Sequence, residues 1–266
     1  MEVRVSLLKR LVQPQMIAVF ATIAFLVVGF NVQVTQEVTP STSSMTAPVI
    51  SHQSLSVPST GASSHIDCSK QSCVALTFDD GPNPITTPQI LDELEAAHAS
   101  ASFFVVGIRA KSFPSLLQRM NRDGYEIGNH SWNHADLTTL SAAQIKDQVA
   151  RTQAAVLAAG LPAPTLFRPP YGAINDTVRA NIPLAIAMWN NDPEDWMKSP
   201  DPNALYNSVI QQLKPGRVVI LHDIDQTTVT ELPRILQTIQ AQHYQLVTFS
   251  QLFNLSPNAT GEYFGR

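Results

Sequence analysis

The stretch Val74-Ala75-Leu76-Thr77-Phe78-Asp79-Asp80-Gly81-Pro82 decides how this chain is read. Its apolar and β-branched run has the composition of a buried strand, and Gly81-Pro82 ends it, so two adjacent carboxylates are delivered at the strand's C-terminal end. That end is where α/β folds place their chemistry. Side chains alternate along an extended segment, so Asp79 and Asp80 point in different directions and can take different roles on one site. Taken alone, the segment reads equally well as a strand end carrying two solvated acids, since Asp is common before a Gly-Pro turn.

Outward from this strand, strand and helix patterns alternate. Ile90, Leu91 and Leu94 form an apolar stripe with Asp92, Glu93 and Glu95 on other faces, which predicts a helix over 86–98. A second strand is expected over 102–106, stopped by Gly107, then a helix over 113–122 and a short strand over 125–128. Residues 141–159, rich in Ala and Gln and ended by Gly160 and Pro162, predict a long helix with a clear stop. Further strands are expected at 165–167, 184–189, 217–221 and 245–248, with helices near 202–213 and 231–243. About seven β/α units argue an α/β fold with a parallel sheet, and at this length a barrel rather than an open sheet.

The 266 residues, 44% of them hydrophobic, suffice for one domain of roughly 200 residues and an appendage. A formal net charge of -4 with 14% charged residues leaves no basic stripe for phosphates, which excludes nucleic acid as the main partner. Arg4, Lys9 and Arg10 precede an uncharged apolar run over 16–30, which Val32 and Val34 extend. Residues 1–34 therefore read as an N-terminal signal-anchor, uncleaved because no small-x-small site closes the run, with a removed signal peptide as the alternative. The basic flank puts the rest of the chain outside the cytoplasm. Residues 35–64 are rich in Ser, Thr and Pro with Glu37 the only charge, which predicts a flexible linker, and a single catalytic domain follows over 65–266. Cys68 and Cys73 are the only cysteines. In an exported chain they are expected to form a disulfide pinning the start of the strand, two free thiols being the other reading.

Polar clusters follow the later strands. His130-Ser131-Trp132-Asn133-His134 comes after the third; on a helical turn this spacing puts both imidazoles on one face, as zinc takes a pair of ligands. It is not a metalloprotease helix, because Ser131 stands where that motif has its Glu. Arg168-Pro169-Pro170-Tyr171-Gly172 follows the fourth strand, Asp192-Pro193-Glu194-Asp195-Trp196 the fifth and Leu221-His222-Asp223 the sixth. Each alone has a plain structural explanation: an Arg before a turn, a solvated acidic loop, a strand-terminal His with a capping Asp. Jointly they place acids, imidazoles and a guanidinium on one face of one barrel, the way active sites form from such loops.

With Thr77-Phe78-Asp79-Asp80-Gly81-Pro82, His130-Ser131-Trp132-Asn133-His134, Arg168-Pro169-Pro170-Tyr171, Asp192-Pro193-Glu194-Asp195-Trp196 and Ile220-Leu221-His222 in this order, the chain resembles the polysaccharide deacetylases of carbohydrate esterase family four, the NodB homology domain, over about 73–253. The resemblance implies a distorted (β/α)7-type barrel with fewer than eight strands, and a metal-dependent removal of acetyl groups from sugars. It implies that Asp80, His130 and His134 hold one divalent ion, zinc by default and cobalt or nickel otherwise, leaving a position for water. Asp79 would be the general base, with Arg168 paired to it to fix its direction and keep it charged. The backbone N–H of Tyr171 would complete the oxyanion site, and His222, oriented by Asp195 with Asp192 as second candidate, would protonate the departing amine. Trp196 and Leu221 would wall a slot for the acetyl methyl.

The expected substrate is an acetylated polysaccharide at the cell surface, processed by a monomer held to the membrane through its N-terminal segment. Peptidoglycan N-acetylglucosamine leads, with chitin oligosaccharides and O-acetylated xylan behind. A glycosidase is disfavoured because Asp79 and Asp80 are adjacent and cannot flank a glycosidic bond. A non-catalytic surface sugar-binding protein and a hydrolase of O-acetyl esters are the other readings.

Overall fold

A run of residues buried on both faces becomes a strand only if its backbone groups are paired on both sides. All seven residues of β1 (Cys73–Asp79) are buried, and it is the hub of a wholly parallel sheet. The computed structural model describes residues 66–197, 201 and 203–265; the signal-anchor expected over 1–34 and the linker expected over 35–64 lie outside them. Among the described residues, no helix is long and apolar enough to cross a membrane.

The other strands are β2 (Ser102–Val105), β3 (Glu126–Asn129), β4 (Leu166–Phe167), β5 (Ala185–Ala187), β6 (Val218–His222), β7 (Gln245–Val247) and β8 (Gly261–Tyr263). Their order is β6-β1-β2-β3-β4-β5-β8, with β7 on β1. β6 runs beside β1 from Ala75 level with Val218 to Asp79 level with His222. On the other side of β1, β7 takes Cys73 to Ala75 and β2 takes Thr77 to Asp79. After β5 the chain swings onto β6, where Asn191 bridges Val219 and the Ile220 N–H donates to the Asn191 carbonyl at 3.0 Å. The sheet thus curls back on itself as a distorted (β/α) barrel, and the C-terminal ends of its strands converge.

β8 was not expected. Gly261-Glu262-Tyr263 is too short and polar to read as a strand, and it is extended because it pairs with β5. The expected boundaries otherwise fall within a few residues: α1 (Thr86–Ala96), α3 (Pro114–Arg122), α4 (Ala142–Ala158), α6 (Ala204–Gln211) and α7 (Gln226–Ala241). α7 begins before the expected 231 because the Asp225 side chain accepts from the Thr227 N–H and caps it; Pro233 is carried inside. α2 (Gly107–Ser112), α5 (Asp176–Asn181) and α8 (Phe249–Phe253) went unpredicted, each too short to show an apolar stripe.

Alternation along β1 sorts its side chains. Val74, Leu76 and Phe78 join the core shared with α1 and α7, while Cys73 and Ala75 face a second core with Phe104 and Phe249. Thr77 and Asp79 share the parity of that second face, so the strand aims Asp79 into the curl of the sheet. Cys73 is disulfide-bonded to Cys68 just ahead of the strand.

Gly128 in β3 has no room for a side chain. A Cβ there would lie 2.4 Å from the ring of Phe104, which is fully buried and wedged against Phe249 and the Arg168 guanidinium. Gly128→Ala is expected to cost about 1–3 kcal/mol, read in urea as a lower midpoint at unchanged slope.

Candidate active site

The deepest part of the site is an ion pair. Asp79 ends β1 and is 2% exposed; its Oδ1 accepts from Arg168 at 2.7 Å. Arg168 stands just past β4 and is fully buried, held through Nε and Nη1 while Nη2 has no hydrogen-bond partner among the described residues. It donates to the Ala187 carbonyl at 2.9 Å and to Thr77 Oγ1 at 2.8 Å, and its guanidinium lies 4.0 Å over the Phe104 ring. Asp79 Oδ2 is thereby left facing His130 Nε2, 3.7 Å away.

Asp80 follows with φ 75°, in the left-handed region, which turns its carboxylate toward the same imidazoles by backbone conformation. Its Oδ1 lies 3.4 Å from His130 Nε2 and 3.2 Å from His134 Nε2. The two histidines do not sit on a helical turn as their spacing suggested. They sit on a loop in which Ser131 has φ 63° and His134 φ 59°, and their ring centroids are 5.0 Å apart. The loop is pinned by polar side chains that sequence reasoning missed. Buried Asn129 accepts from the Ser131 N–H at 3.0 Å, Ser131 Oγ from the His134 N–H at 3.0 Å, and Gln148 on α4 from the Trp132 N–H at 2.8 Å. The first N–H groups of α2, on Gly107 and Ile108, donate to the Ser131 and Trp132 carbonyls, both at 2.9 Å. Of the eight described non-glycine residues with positive φ, five (Asp80, Ser131, His134, Tyr171 and Glu194) lie in these loops, where strain is held in place by the surrounding contacts.

The donor set fits a cation. His130 Nδ1 meets the Arg168 carbonyl at 2.8 Å, so that nitrogen carries the proton and Nε2 presents a lone pair to Asp80. Asp80 Oδ1 is buried without a hydrogen-bond partner among the described residues. Burial followed by the neighbouring His130 lowers the His134 imidazole from its usual value, which favours the neutral ligand form. Burial pushes the Asp80 carboxyl up, but His130 and His134 outweigh it and bring it to about 2. Asp80, His130 and His134 each offer an atom within 4.8 Å of the others, an arrangement suited to three ligands of a tetrahedral zinc or a similar divalent ion.

Facing them is the end of β6. His222 Nδ1 lies 2.7 Å from Asp195 Oδ1, while Asp195 Oδ2 accepts from the His222 N–H at 2.7 Å and from Thr228 Oγ1 at 2.5 Å. Asp192, the second candidate for this partner, instead accepts from the Trp189 indole at 3.1 Å. Burial lowers the His222 imidazole, but the hydrogen bond and charge of Asp195, with those of Asp79 and Asp80, prevail and raise it to about 9. Asp223, read from the sequence as a capping Asp, is drawn inward. It is buried, accepts from Thr87 Oγ1 at 2.5 Å, and is pushed up by burial to about 7. Its carboxylate would lie 2.0 Å from a Cβ on Gly81, so only glycine fits there.

A cleft of about 430 Å³ joins these groups, lined by Asp79, Asp80, His130, His134, Tyr171, Trp189, Asp192, Trp196, Ile220 and His222. Tyr171 is exposed, with φ 61° and its ring 4.5 Å from that of His134; Trp196 is also exposed. Leu221 does not wall the cleft. It is fully buried in the outer core, and alternation along β6 presents Ile220 with His222 instead. That two-residue offset was legible in the sequence. Thr228, 33 residues from Asp195, carried no such signal.

A polysaccharide deacetylase family profile matches residues 67–184. The chain is 44% identical over 182 residues to the peptidoglycan-N-acetylmuramic acid deacetylase PdaC of Bacillus subtilis, covering 68% of this chain and 39% of that protein. It is 37% identical over 193 residues to the peptidoglycan-N-acetylglucosamine deacetylase PgdA of Listeria monocytogenes, covering 73% and 41%. The chain thus spans about two fifths of the length of these two curated relatives. The solved structure of PdaC superposes with a TM-score of 0.68 at 43% identity over 71% of this chain and 93% of that one. A family 4 acetyl xylan esterase of Clostridium thermocellum, solved with a cobalt ion, superposes at 0.68 with 33% identity over 73% and 98%.

Because Asp79 and Arg168 are both buried, removing one strands the other. Arg168→Met is expected to destabilise the fold by about 3–5 kcal/mol in urea, and Arg168→Met with Asp79→Leu to recover part of that loss.

Proposed function

We propose, from the premise that the chain belongs to the polysaccharide deacetylase family, that it is a hydrolase releasing acetate from acetylated sugars of an extracellular polymer. The observation that carries this reading is the cation-ready trio Asp80, His130 and His134 beside the free oxygen of Asp79, with the His222–Asp195 pair in the same cleft. A divalent ion on the trio, zinc or cobalt being suited to it, supplies Lewis acidity toward the acetyl carbonyl and a lowered pKa for water.

The chain's own residues supply the proton traffic. Asp79 takes a proton from the attacking water through Oδ2, because Arg168 occupies Oδ1 and holds the carboxylate in line. The Tyr171 backbone N–H supports the charge that develops on the carbonyl oxygen. His222 keeps Nδ1 toward Asp195, so Nε2 delivers the proton to the sugar nitrogen as the carbon–nitrogen bond breaks, leaving acetate and a free amine. Trp196 and Tyr171 offer exposed ring faces to sugar, and Ile220 offers an apolar wall for the acetyl methyl. The basic flank and apolar run within residues 1–34 support a membrane anchor, and the composition of 35–64 a tether; together they favour cell-wall peptidoglycan as the polymer.

Acetate release from peptidoglycan and from chitin oligomers, abolished by a chelator and restored by zinc, is the test. Acetate from xylan alone would move the reading to ester hydrolysis. Asp79→Asn is expected to keep bound metal, measured by atomic absorption, and to lose turnover at least about 100-fold; His130→Ala is expected to lose both.

His222 donates only while protonated, and its value is raised, so kcat is expected to fall as pH rises through about 9. Asp195→Asn removes the charge that raises it while burial remains. The alkaline limb of the kcat profile is then expected to move down by at least about one pH unit.

A further inference from the structure

A second pocket of about 280 Å³ shares Asp80 and His134 with the cleft and is completed by Val106, Ile108, Arg109 and Asn133. None of the proton transfers at the acetyl group uses a cation there. Arg109 is the third residue of α2, whose first two N–H groups bind the carbonyls of the histidine loop, so its backbone is held in register with His130 and His134. Every other described arginine pairs with a carboxylate or donates to a backbone carbonyl. Arg109 is half-buried and has neither kind of partner among the described residues. The one carboxylate lining the pocket, Asp80, is turned to the two imidazoles. Beside Arg109, Ile108 is 45% exposed, so the pocket offers an unpaired guanidinium next to an apolar surface.

We propose that Arg109 is a substrate-selecting residue, binding a carboxylate carried by the sugar polymer close to the acetyl group being removed. A guanidinium recognises a carboxylate through a planar pair of N–H groups, and Ile108 suits a short apolar arm on the acid. The chemistry is that of an acetylated aminosugar bearing a lactyl ether, as in muramic acid; chitin has no such acid. The proposal rests on the reading of the cleft as a sugar deacetylase.

The test compares acetate release by the zinc-loaded full chain from three substrates: peptide-free glycan strands of alternating N-acetylglucosamine and N-acetylmuramic acid, the same strands with their carboxyls amidated, and chitin oligomers. Arg109→Ala is expected to lower kcat/KM on the free-acid strands by about 10-fold or more, with less than about a 2-fold change on the two neutral substrates, and Arg109→Lys to keep part of the preference. The acid can sit on the sugar that loses its acetyl or on its neighbour; mass spectrometry of the products places the free amine, and either position supports the site. Arg109 also favours ionisation of the buried Asp223, so a purely structural role would lower stability and all three rates alike. Equal loss on all three substrates, or no loss on the acid, overturns the proposal. Calorimetric binding of the free-acid strands separates it from the parent reading. If no polymer yields acetate but Arg109→Ala still weakens binding about 10-fold, the deacetylase reading falls and the carboxylate site stands; unchanged binding removes the site.

Discussion

The buried pair of Asp79 and Arg168 is the contact on which the rest of the site depends. A guanidinium taken wholly out of water is tolerable only when its charge is met, and here a carboxylate, a hydroxyl, a carbonyl and an aromatic face meet it, with Nη2 left without a hydrogen-bond partner among the described residues. The carboxylate and hydroxyl come from β1, the aromatic face from β2 and the carbonyl from β5, while Arg168 itself follows β4, so the ion pair also fixes how β1, β2, β4 and β5 sit around one point. The Arg168 carbonyl then orients His130 through Nδ1, which links Asp79 to the cluster of Asp80, His130 and His134 by a single residue.

Around that point, the strand ends are bent into place by strained backbone. Asp80, Ser131, His134 and Tyr171 all take positive φ, and those of the histidine loop are over-determined by neighbours: Asn129, Ser131 and Gln148 hold the loop, and α2 catches its carbonyls. The cost is local, and the result is a cleft whose carboxylates and imidazoles are held in fixed positions. His222 is tuned in the same manner, by a carboxylate that receives three hydrogen-bond contacts and can turn in no other direction.

The same tying of loops gives Arg109 its interest. A cation on a short helix hydrogen-bonded to the histidine loop cannot drift from the site, and its lack of an internal partner is the exception among the described arginines. Selectivity for an acidic sugar would then be built into the scaffold that holds His130 and His134.

By itself the sequence determined the parallel α/β order, through apolar runs that alternate with amphipathic stripes, and it pointed to the polar groups of the cleft, because Asp79, Asp80, His130, His134, Arg168, Asp195 and His222 all stand at the ends of apolar runs or in the segments that follow them. These are local signals, carried by composition and by the two-residue period of a strand. Tertiary structure alone decided which groups meet and how they are aimed. The His130 and His134 spacing suggested a helix, yet a loop with left-handed residues brings them together. β8 exists only because β5 offers it an edge. Asp195, and not Asp192, reaches His222, with Thr228 far along the chain as its third contact. Such pairings depend on packing between segments distant in sequence, and residue type alone leaves them open.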